Sequence, residues 1–330
     1  MTKELTFPSH GVSCAAWHVP ASTWALVGTA GRPCVVMAHG FGGTRDSGLL
    51  DYAETFADAG IDALVFDFRG FGDSEGTPRQ DVSVRRQRQD YRSAIAAARH
   101  LPGVDPDRIA LWGYSYAGGH VIAVAAQDPR VAAIVSMSPA TDGLATLADI
   151  VRRGGSGHLA RLTGHGLLDR ARALTKRSPH HLPVVGQPGS TAMITVPGAE
   201  EAYNAMAGPT ARNEVCARHA LEVALNRPTT FASRLACPML MQVGTNDAVV
   251  PVTAARRAAE KGGYWAQLRE YPFDHFGGYE DQWQPTVLAE QLDFLTRVVD
   301  PSRSPDVHLR AVAELPRTGR SVLKLPWLVS

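Results

Sequence analysis

A serine lies at the centre of the stretch WGYSYAGGH, residues 112–120, among three glycines and one alanine. Ser115 follows the apolar run RIALWGY and precedes a helical pattern, so it lies where a strand is predicted to meet a helix. A turn this sharp needs small residues two positions before and two after the serine, here Gly113 and Ala117. The stretch is typical of an exposed nucleophile, and a structural turn serine is the alternative that it leaves open.

A serine hydroxyl is a weak nucleophile near neutral pH, so it needs a base, and the base needs an acid to orient it. The chain has 12 histidines, and one of them, His275, lies in a Gly-rich loop after the apparent strand QLREYP. Asp247 follows the apolar run PMLMQVG, and Asp142 follows the run VAAIVSM. Either aspartate could instead cap a turn or a helix, so the residues alone leave the choice of base and acid open.

Short apolar runs alternate with helical patterns along most of the chain. Predicted strands cover 33–40, 61–70, 108–115, 131–139 and 238–247, and predicted helices cover 48–60, 84–101, the segment after Ser115, 252–263 and 285–299. Apolar runs of this length suit strands that are covered on both faces. The alternation predicts an α/β fold with a doubly wound, mostly parallel sheet. The earlier segments ELTFPS and SCAAWHVP predict an antiparallel edge hairpin.

The alternation stops between about residues 140 and 232, where Arg, His, Gly and Pro are frequent. Because long loops without secondary structure are rare, we predict an inserted, mostly helical cap here. The predicted division is 1–139 and 233–300 for the core, 140–232 for the cap and 301–330 for a C-terminal tail. Met193, Tyr203 and Met206 are candidates for contact with an acyl group, and packing inside the cap explains these residue types equally well.

Three motifs in this order resemble those of one superfamily: the loop HGFGGTRD at 39–46, FDFRGFGDSEGT at 66–77, and G-Y-S-Y-A at 113–117. The chain resembles the α/β-hydrolases, and is similar to serine hydrolases of the Xaa-Pro-dipeptidyl-peptidase-like and dienelactone-hydrolase-like branches. The resemblance implies the α/β-hydrolase fold, with Ser115 as nucleophile and His275 as base. The commoner order of the triad favours Asp247 as the acid over Asp142.

The resemblance also implies an oxyanion hole made of two backbone N–H groups. Tyr116, directly after the serine, would provide one, and Phe41 the other, because Gly40 lets the loop turn toward the serine. An ordinary strand-to-helix loop is the alternative. A phosphate-binding loop is a weaker one, because the segment lacks the GxGxxG and GK(S/T) motifs of such loops.

The segment 66–77 carries polar residues that resemble a recurring superfamily motif. We expect these residues to hold turns and ion pairs that support the oxyanion loop, and not to act in catalysis. They are Asp67, Arg69, Asp73 and Ser74.

Composition excludes several other classes of function. With 33 basic and 32 acidic residues, the chain lacks the charge expected of a nucleic-acid-binding protein. No stretch is apolar enough for a secretory signal or a membrane span, so a cytoplasmic location without membrane partners is the expectation. Four separated cysteines without a CxxC pair argue against zinc and disulfides. No metal or organic cofactor is implied.

The predicted function is hydrolysis of a carboxylic ester, or of a thioester or amide, in a small acyl substrate through an acyl-enzyme. The same residues would also serve an acyltransferase or an aminopeptidase. A non-catalytic binding or scaffold protein with this fold is the alternative of another class, and formation of a homo-oligomer stays open.

Overall fold

The structure is a computed structural model that describes residues 2–300 and Ser302. Its strands are β1 (Lys3–Ser9), β2 (Val12–Val19), β3 (Arg32–Ala38), β4 (Asp62–Phe66), β5 (Val104–Tyr114), β6 (Val131–Met137), β7 (His181–Leu182), β8 (Val215–Cys216), β9 (Met239–Gly244) and β10 (Ala266–Tyr271). Its α-helices are α1 (Leu50–Asp58), α2 (Val84–Arg99), α3 (Tyr116–Ala125), α4 (Gly143–Leu174), α5 (Ala199–Met206), α6 (Val252–Gly262) and α7 (Gln284–Val299).

Eight strands form one sheet in the order β1-β2-β4-β3-β5-β6-β9-β10. The first two pairings are antiparallel, and all pairings from β4 to β10 are parallel. Every residue of β4 and of β9 is buried, as expected for strands covered on both faces. The predicted α/β fold with a mostly parallel sheet is confirmed, and so is the antiparallel hairpin at its edge.

The chain between β6 and β9 forms the cap, which is mostly helical as predicted. Its longest element, α4, is interrupted at Gly155, whose φ of 73° and ψ of 166° are not helical. The short antiparallel pair β7 and β8, the helix α5 and several 3-10 turns complete the cap. The predicted domain boundaries stay a prediction, and the predicted tail lies outside the described residues except for Ser302.

One part of the cap, residues 214–226, makes backbone contacts both with the core and with the start of α4. The Cys216 N–H donates to the carbonyl of Gln80 at 2.8 Å, and the Gly143 N–H at the start of α4 donates to the Asn226 carbonyl at 2.7 Å. A Cβ at Gly143 would lie 1.7 Å from the Val223 carbonyl oxygen, so no larger residue fits there. The first turn of α4 therefore packs directly on residues 223–226.

Two further sequence expectations concern the described residues. None of the helices in this part of the chain has the length and apolar character that crossing a lipid bilayer requires. The four cysteines are buried and free of disulfide bonds, as their spacing predicted.

Candidate active site

Ser115 stands on the tight turn between β5 and α3. Its φ of 54° lies in the left-handed region, where residues other than glycine are strained. The turn closes only because its neighbours are small: a Cβ at Gly113 would lie 2.4 Å from the Ala117 carbonyl oxygen. The Ser115 N–H donates to the Met137 carbonyl at 2.8 Å, which ties the turn to the end of β6. The small residues around the serine thus have the steric role that the sequence suggested.

His275 lies on the loop after β10, and this loop is held against the end of β9. The N–H groups of Thr245 and Asn246 donate to the carbonyls of Tyr271 and Phe273 at 2.7 and 3.0 Å. A Cβ at Gly244 would lie 2.4 Å from the Phe273 carbonyl oxygen, so only glycine permits this approach. The loop that carries His275 and the loop after β9, which carries Asp247, therefore lie side by side.

The side chains of Ser115, His275 and Asp247 form one hydrogen-bonded chain. His275 Nδ1 lies 2.6 Å from Asp247 Oδ2, and His275 Nε2 lies 2.9 Å from Ser115 Oγ. Because the Asp247 carboxylate only accepts, Nδ1 carries the proton and Nε2 presents its lone pair to the serine hydroxyl. All three residues are buried. This arrangement lets the imidazole take a proton from the serine while the carboxylate faces the other ring nitrogen.

Neighbouring groups hold both Asp247 and His275 in place. Asp247 Oδ1 accepts hydrogen bonds from the N–H groups of Val249 and Val250 at 2.8 and 2.9 Å, leaving Oδ2 for the histidine. On the other side, the Tyr114 hydroxyl donates to the His275 carbonyl at 3.2 Å, and its ring lies 5.3 Å from the imidazole. The Asp247 carboxylate and the His275 imidazole are therefore both oriented by residues other than the three that form the hydrogen-bonded chain.

Two other aspartates that stood near the predicted site have different partners. Asp142 caps α4, where its Oδ1 accepts from the N–H groups of Leu144 and Ala145, and its Oδ2 pairs with Arg227 at 3.1 Å. Burial raises the pKa of the Asp142 carboxyl, but the hydrogen bond from Arg227 and those from the backbone outweigh it and lower this pKa. Asp274 accepts from the Phe276 N–H at 2.8 Å. The carboxylate that His275 Nδ1 meets within hydrogen-bond distance is that of Asp247.

The loop that follows β3 approaches the nucleophile through Gly40. A Cβ at Gly40 would lie 3.0 Å from Ser115 Cβ and 3.1 Å from Tyr114 Cδ1. Phe41, the next residue, packs its ring 5.6 Å from the ring of Tyr116, the first residue of α3. The two residues expected to donate backbone N–H groups to an oxyanion thus lie next to each other beside Ser115.

The motif at 66–77 supports this loop from below. Arg45 donates its backbone N–H to Asp67 Oδ1 at 2.6 Å, and its guanidinium pairs with Asp67 and with Asp73. The Ser74 hydroxyl donates to the Asp67 carbonyl at 2.7 Å, and Arg69 pairs with a carboxylate of α2. These polar residues hold turns and ion pairs, as the sequence suggested.

Cap residues cover the site from above. Tyr203 of α5 is buried, and a Cβ at Gly42, in the loop after β3, would lie 3.5 Å from its hydroxyl oxygen and 2.5 Å from Val184. Burial raises the pKa of Tyr203, whose hydroxyl has no hydrogen-bond partner among the described residues. Met193 and Met206 are partly buried against the core. Tyr203 therefore lies close to Gly42 in the loop after β3.

Sequence reasoning missed one residue at this site, His219, in the cap's 3-10 helix Ala217–Leu221. Its ring lies 5.0 Å from that of Phe41 and 5.4 Å from that of Tyr116. Burial lowers the pKa of His219 to about 4. The chain has 12 histidines, and His219 lies in a stretch without helical or strand periodicity, so no local signal could have singled it out.

Metal binding finds no support in this part of the molecule. Within residues 2–300 and Ser302, no group of three or more His, Cys, Asp or Glu side chains could hold a metal ion. One histidine pair in the cap, His165 and His180, is stacked with ring nitrogens 2.8 Å apart.

Comparison with known proteins shows similarity over most of the chain. The quorum-quenching protein AidA of Acinetobacter baumannii is 36% identical over 299 residues, which cover 90% of this chain and 95% of AidA. The crystal structure of the α/β-hydrolase GrgF from Penicillium sp. sh18 superposes with a TM-score of 0.73 at 26% identity, over 91% of this chain and 99% of GrgF. The thiohydrolase aneE of Aspergillus aculeatus is 43% identical over 113 residues, 34% of this chain and 36% of aneE.

A family model extends this likeness across both the core and the cap. The model of X-Pro dipeptidyl-peptidase (S15 family) matches residues 22–268. This range contains Ser115 and Asp247 and ends shortly before His275. With the α/β-hydrolase fold and the relatives described above, the match shows that the chain belongs to the X-Pro dipeptidyl-peptidase (S15) family.

Proposed function

We propose that this protein is a Ser-His-Asp hydrolase that cleaves a carboxylic ester of a small acyl substrate through a covalent acyl-enzyme. The observation that carries the proposal is the buried chain of hydrogen bonds from Asp247 through His275 to Ser115 Oγ. A serine outside such a chain would have no base to take its proton. Membership of a hydrolase family supports an enzyme over a binding or scaffold protein with the same fold.

The reaction follows from the positions of the atoms. Ser115 Oγ attacks the ester carbonyl while His275 Nε2 takes the hydroxyl proton, and the resulting imidazolium is stabilised by Asp247. The C–O bond to the leaving alcohol then breaks as His275 returns the proton to the alcohol oxygen. A water molecule gives a proton to the same imidazole as it attacks the carbonyl of the acyl-enzyme. The bond to Ser115 Oγ then breaks, the imidazolium returns the proton to Oγ, and the carboxylic acid leaves.

Two backbone N–H groups would stabilise the negative oxygen that forms in each attack. The donors in this proposal are Phe41 and Tyr116. The loop passes so close to the serine at Gly40 that an added Cβ would lie 3.0 Å from Ser115 Cβ, and Tyr116 directly follows Ser115 in the chain. Removing one donor of this kind costs about 10²–10³-fold in kcat in related chemistry.

The experiment is a substrate panel with a matched pair of serine variants. We expect purified protein to hydrolyse p-nitrophenyl esters, Ser115→Ala to abolish this activity, and Ser156→Ala, at an exposed position of α4, to retain it. Faster turnover of X-Pro p-nitroanilides than of any ester would instead favour the aminopeptidase. Equal hydrolysis by the wild type and Ser115→Ala would refute the proposal.

Thioester cleavage is a second candidate, and one specific observation favours it. The thiohydrolase aneE shares 43% identity with this chain over 113 residues, a higher identity than the full-length relative AidA has. Acyl thioesters of N-acetylcysteamine, compared with oxygen esters of the same acyl group, separate the two candidates by kcat/KM. Transfer of the acyl group to an added alcohol in place of water would mark an acyltransferase.

A further inference from the structure

We infer that His219, a cap residue, is a positioning residue for the oxyanion hole: it holds Tyr116 and Phe41 so that their backbone N–H groups face the reacting oxygen. The inference rests on the proposed function. It assigns to the cap a part in transition-state stabilisation in addition to covering the site.

The first step is the contact between His219 and both proposed donors. The three rings of Phe41, Tyr116 and His219 pack against one another with centroid distances of 5.0, 5.4 and 5.6 Å. Phe41 comes from the loop after β3, Tyr116 begins α3, and His219 belongs to the cap. The imidazole therefore bridges the two segments that would form the oxyanion hole.

The second step is a directional hydrogen bond. His219 Nδ1 lies 3.2 Å from the Val82 carbonyl oxygen, which can only accept, so Nδ1 carries the proton. Nε2 is then an acceptor, and the Tyr116 hydroxyl donates to it at 3.3 Å. Complete burial keeps the imidazole neutral by lowering its pKa to about 4, so this pattern persists throughout the neutral range. The Tyr116 side chain is thereby fixed at both its ring and its hydroxyl.

The third step is that His219 is itself held firmly. Its neighbour Arg218 donates to Asp169 of α4 from Nε at 2.6 Å and from Nη2 at 2.9 Å, and the pair is buried. On the core side, the Cys216 N–H donates to the Gln80 carbonyl at 2.8 Å. The 3-10 helix of His219 is thus anchored to both the cap and the core.

These contacts have a mechanistic consequence. Tyr116 is the first residue of α3 and directly follows Ser115, so the contacts that hold its side chain also restrain the backbone that carries its N–H. A donor that is misaligned by a fraction of an ångström still permits substrate binding but loses strength in the transition state. Loss of His219 should therefore lower kcat and leave KM unchanged.

The test is a double-mutant cycle that leaves the backbone donors intact. His219→Phe keeps an aromatic ring but removes both hydrogen bonds, while Tyr116→Phe removes only the hydroxyl. His158→Phe, at another buried histidine of the cap, whose Nδ1 faces Arg161 of α4, is the matched control. Rates are normalised to the active-site concentration from fluorophosphonate titration, so that partial unfolding does not count as lost catalysis.

We expect about a tenfold loss of kcat in His219→Phe, an unchanged KM, and the same fold-loss of affinity for a boronic acid analogue. The double variant should lose no more than the larger single loss, because both changes remove one interaction. His219→Gln, whose amide oxygen can accept from Tyr116, should recover part of the rate. Additive losses, or a kcat per active site equal to that of His158→Phe, would overturn the inference.

The design separates this inference from the proposed function. If wild-type protein forms no fluorophosphonate adduct and cleaves no ester, the proposed function fails. If the wild type is active and His219→Phe retains its kcat and its boronic acid affinity, the proposed function stands and only the role of His219 is wrong.

Discussion

Asp142 and Asp247 follow adjacent strands of the same parallel sheet, β6 and β9. Each uses its Oδ1 atom to accept two backbone N–H groups of the following turn. They differ in the partner of the other oxygen: Arg227 of the cap for Asp142, and His275 for Asp247. Two carboxylates in nearly the same local structure thus have different roles.

The difference comes from the loop that faces each carboxylate. The β10 loop lies against the end of β9, because Gly244 admits the Phe273 carbonyl, and it brings His275 to Asp247. The loop after β6 instead leads into α4, so Asp142 caps that helix. Both aspartates lie at the carboxyl end of a strand, and the segment that packs against each one determines whether its carboxylate meets His275 or caps a helix.

The largest expected effect separates the two aspartates directly. Asp247→Asn should lower kcat by about 10⁴-fold, because an amide cannot hold the imidazole in the required tautomer or stabilise its charge. Asp142→Asn should change kcat less than about threefold, since asparagine also caps helices. Steady-state kinetics of both variants on one ester give the comparison. The opposite order of effects would make Asp142 the acid and contradict the assignment.

A smaller effect on kcat is expected from adding a methyl group in the proposed oxyanion loop, with the same change in helix α4 as its control. Gly40→Ala should lower kcat by about 10²-fold, because its Cβ would press on Ser115 and Tyr114 and displace a proposed donor. Gly164→Ala in α4 is the matched change, at a glycine whose added Cβ meets nothing within 4 Å. It should leave kcat unchanged and stabilise the helix. Equal kinetics of the two variants would show that the loop does not position the oxyanion donor.

The buried histidines His39 and His120 should make the free energy of unfolding depend on pH. Burial lowers the pKa of His39 to about 4 and that of His120 well below its ordinary value of 6.5. The unfolded chain then binds more protons below pH 6.5, so their stabilisation is complete above that pH and is lost as the pH falls. The free energy of unfolding should drop by about 1.4 kcal/mol per pH unit for each such histidine. Urea unfolding between pH 7 and 5 measures this slope.

The control for that slope is His120→Phe, which removes one titrating group from the core. Its curve of unfolding free energy against pH should be shallower than that of the wild type by the share of one histidine. An unchanged slope would mean that His120 does not titrate on unfolding in this range.

The smallest effect is expected at the partner of Asp142. Arg227→Met should cost less than about 1 kcal/mol of stability, because the arginine side chain is 41% exposed and solvent screens the ion pair. Thermal unfolding measures the loss, and kcat should stay unchanged. A large loss of kcat would tie Asp142 and Arg227 to the active site and weaken the contrast between the two carboxylates.

Sequence reasoning was most successful where function depends on strand ends. The sheet and the turn at Ser115 follow from apolar runs and small residues that are close together in sequence, whereas the choice of His275 among the histidines came from the resemblance to the α/β-hydrolases. The choice between Asp142 and Asp247 depends on a contact between Gly244 and Phe273, residues of different loops, which no local pattern encodes.

The cap was predictable only as a helical insertion. Helix α4 is interrupted at Gly155, which is one of several glycines in the same stretch. Nothing in the spacing of these glycines marks that position. His219 is at the site because the cap folds back onto residues 80–82, a long-range arrangement that its neighbours in sequence do not announce.

The most direct test of the central claim is the mass of the intact protein after treatment with a fluorophosphonate probe. The account predicts a single adduct, mapped by peptide sequencing to Ser115, with slow labelling in His275→Ala and none in Ser115→Ala. An unlabelled wild type, or an adduct on another serine, would contradict the assignment of Ser115 as the nucleophile.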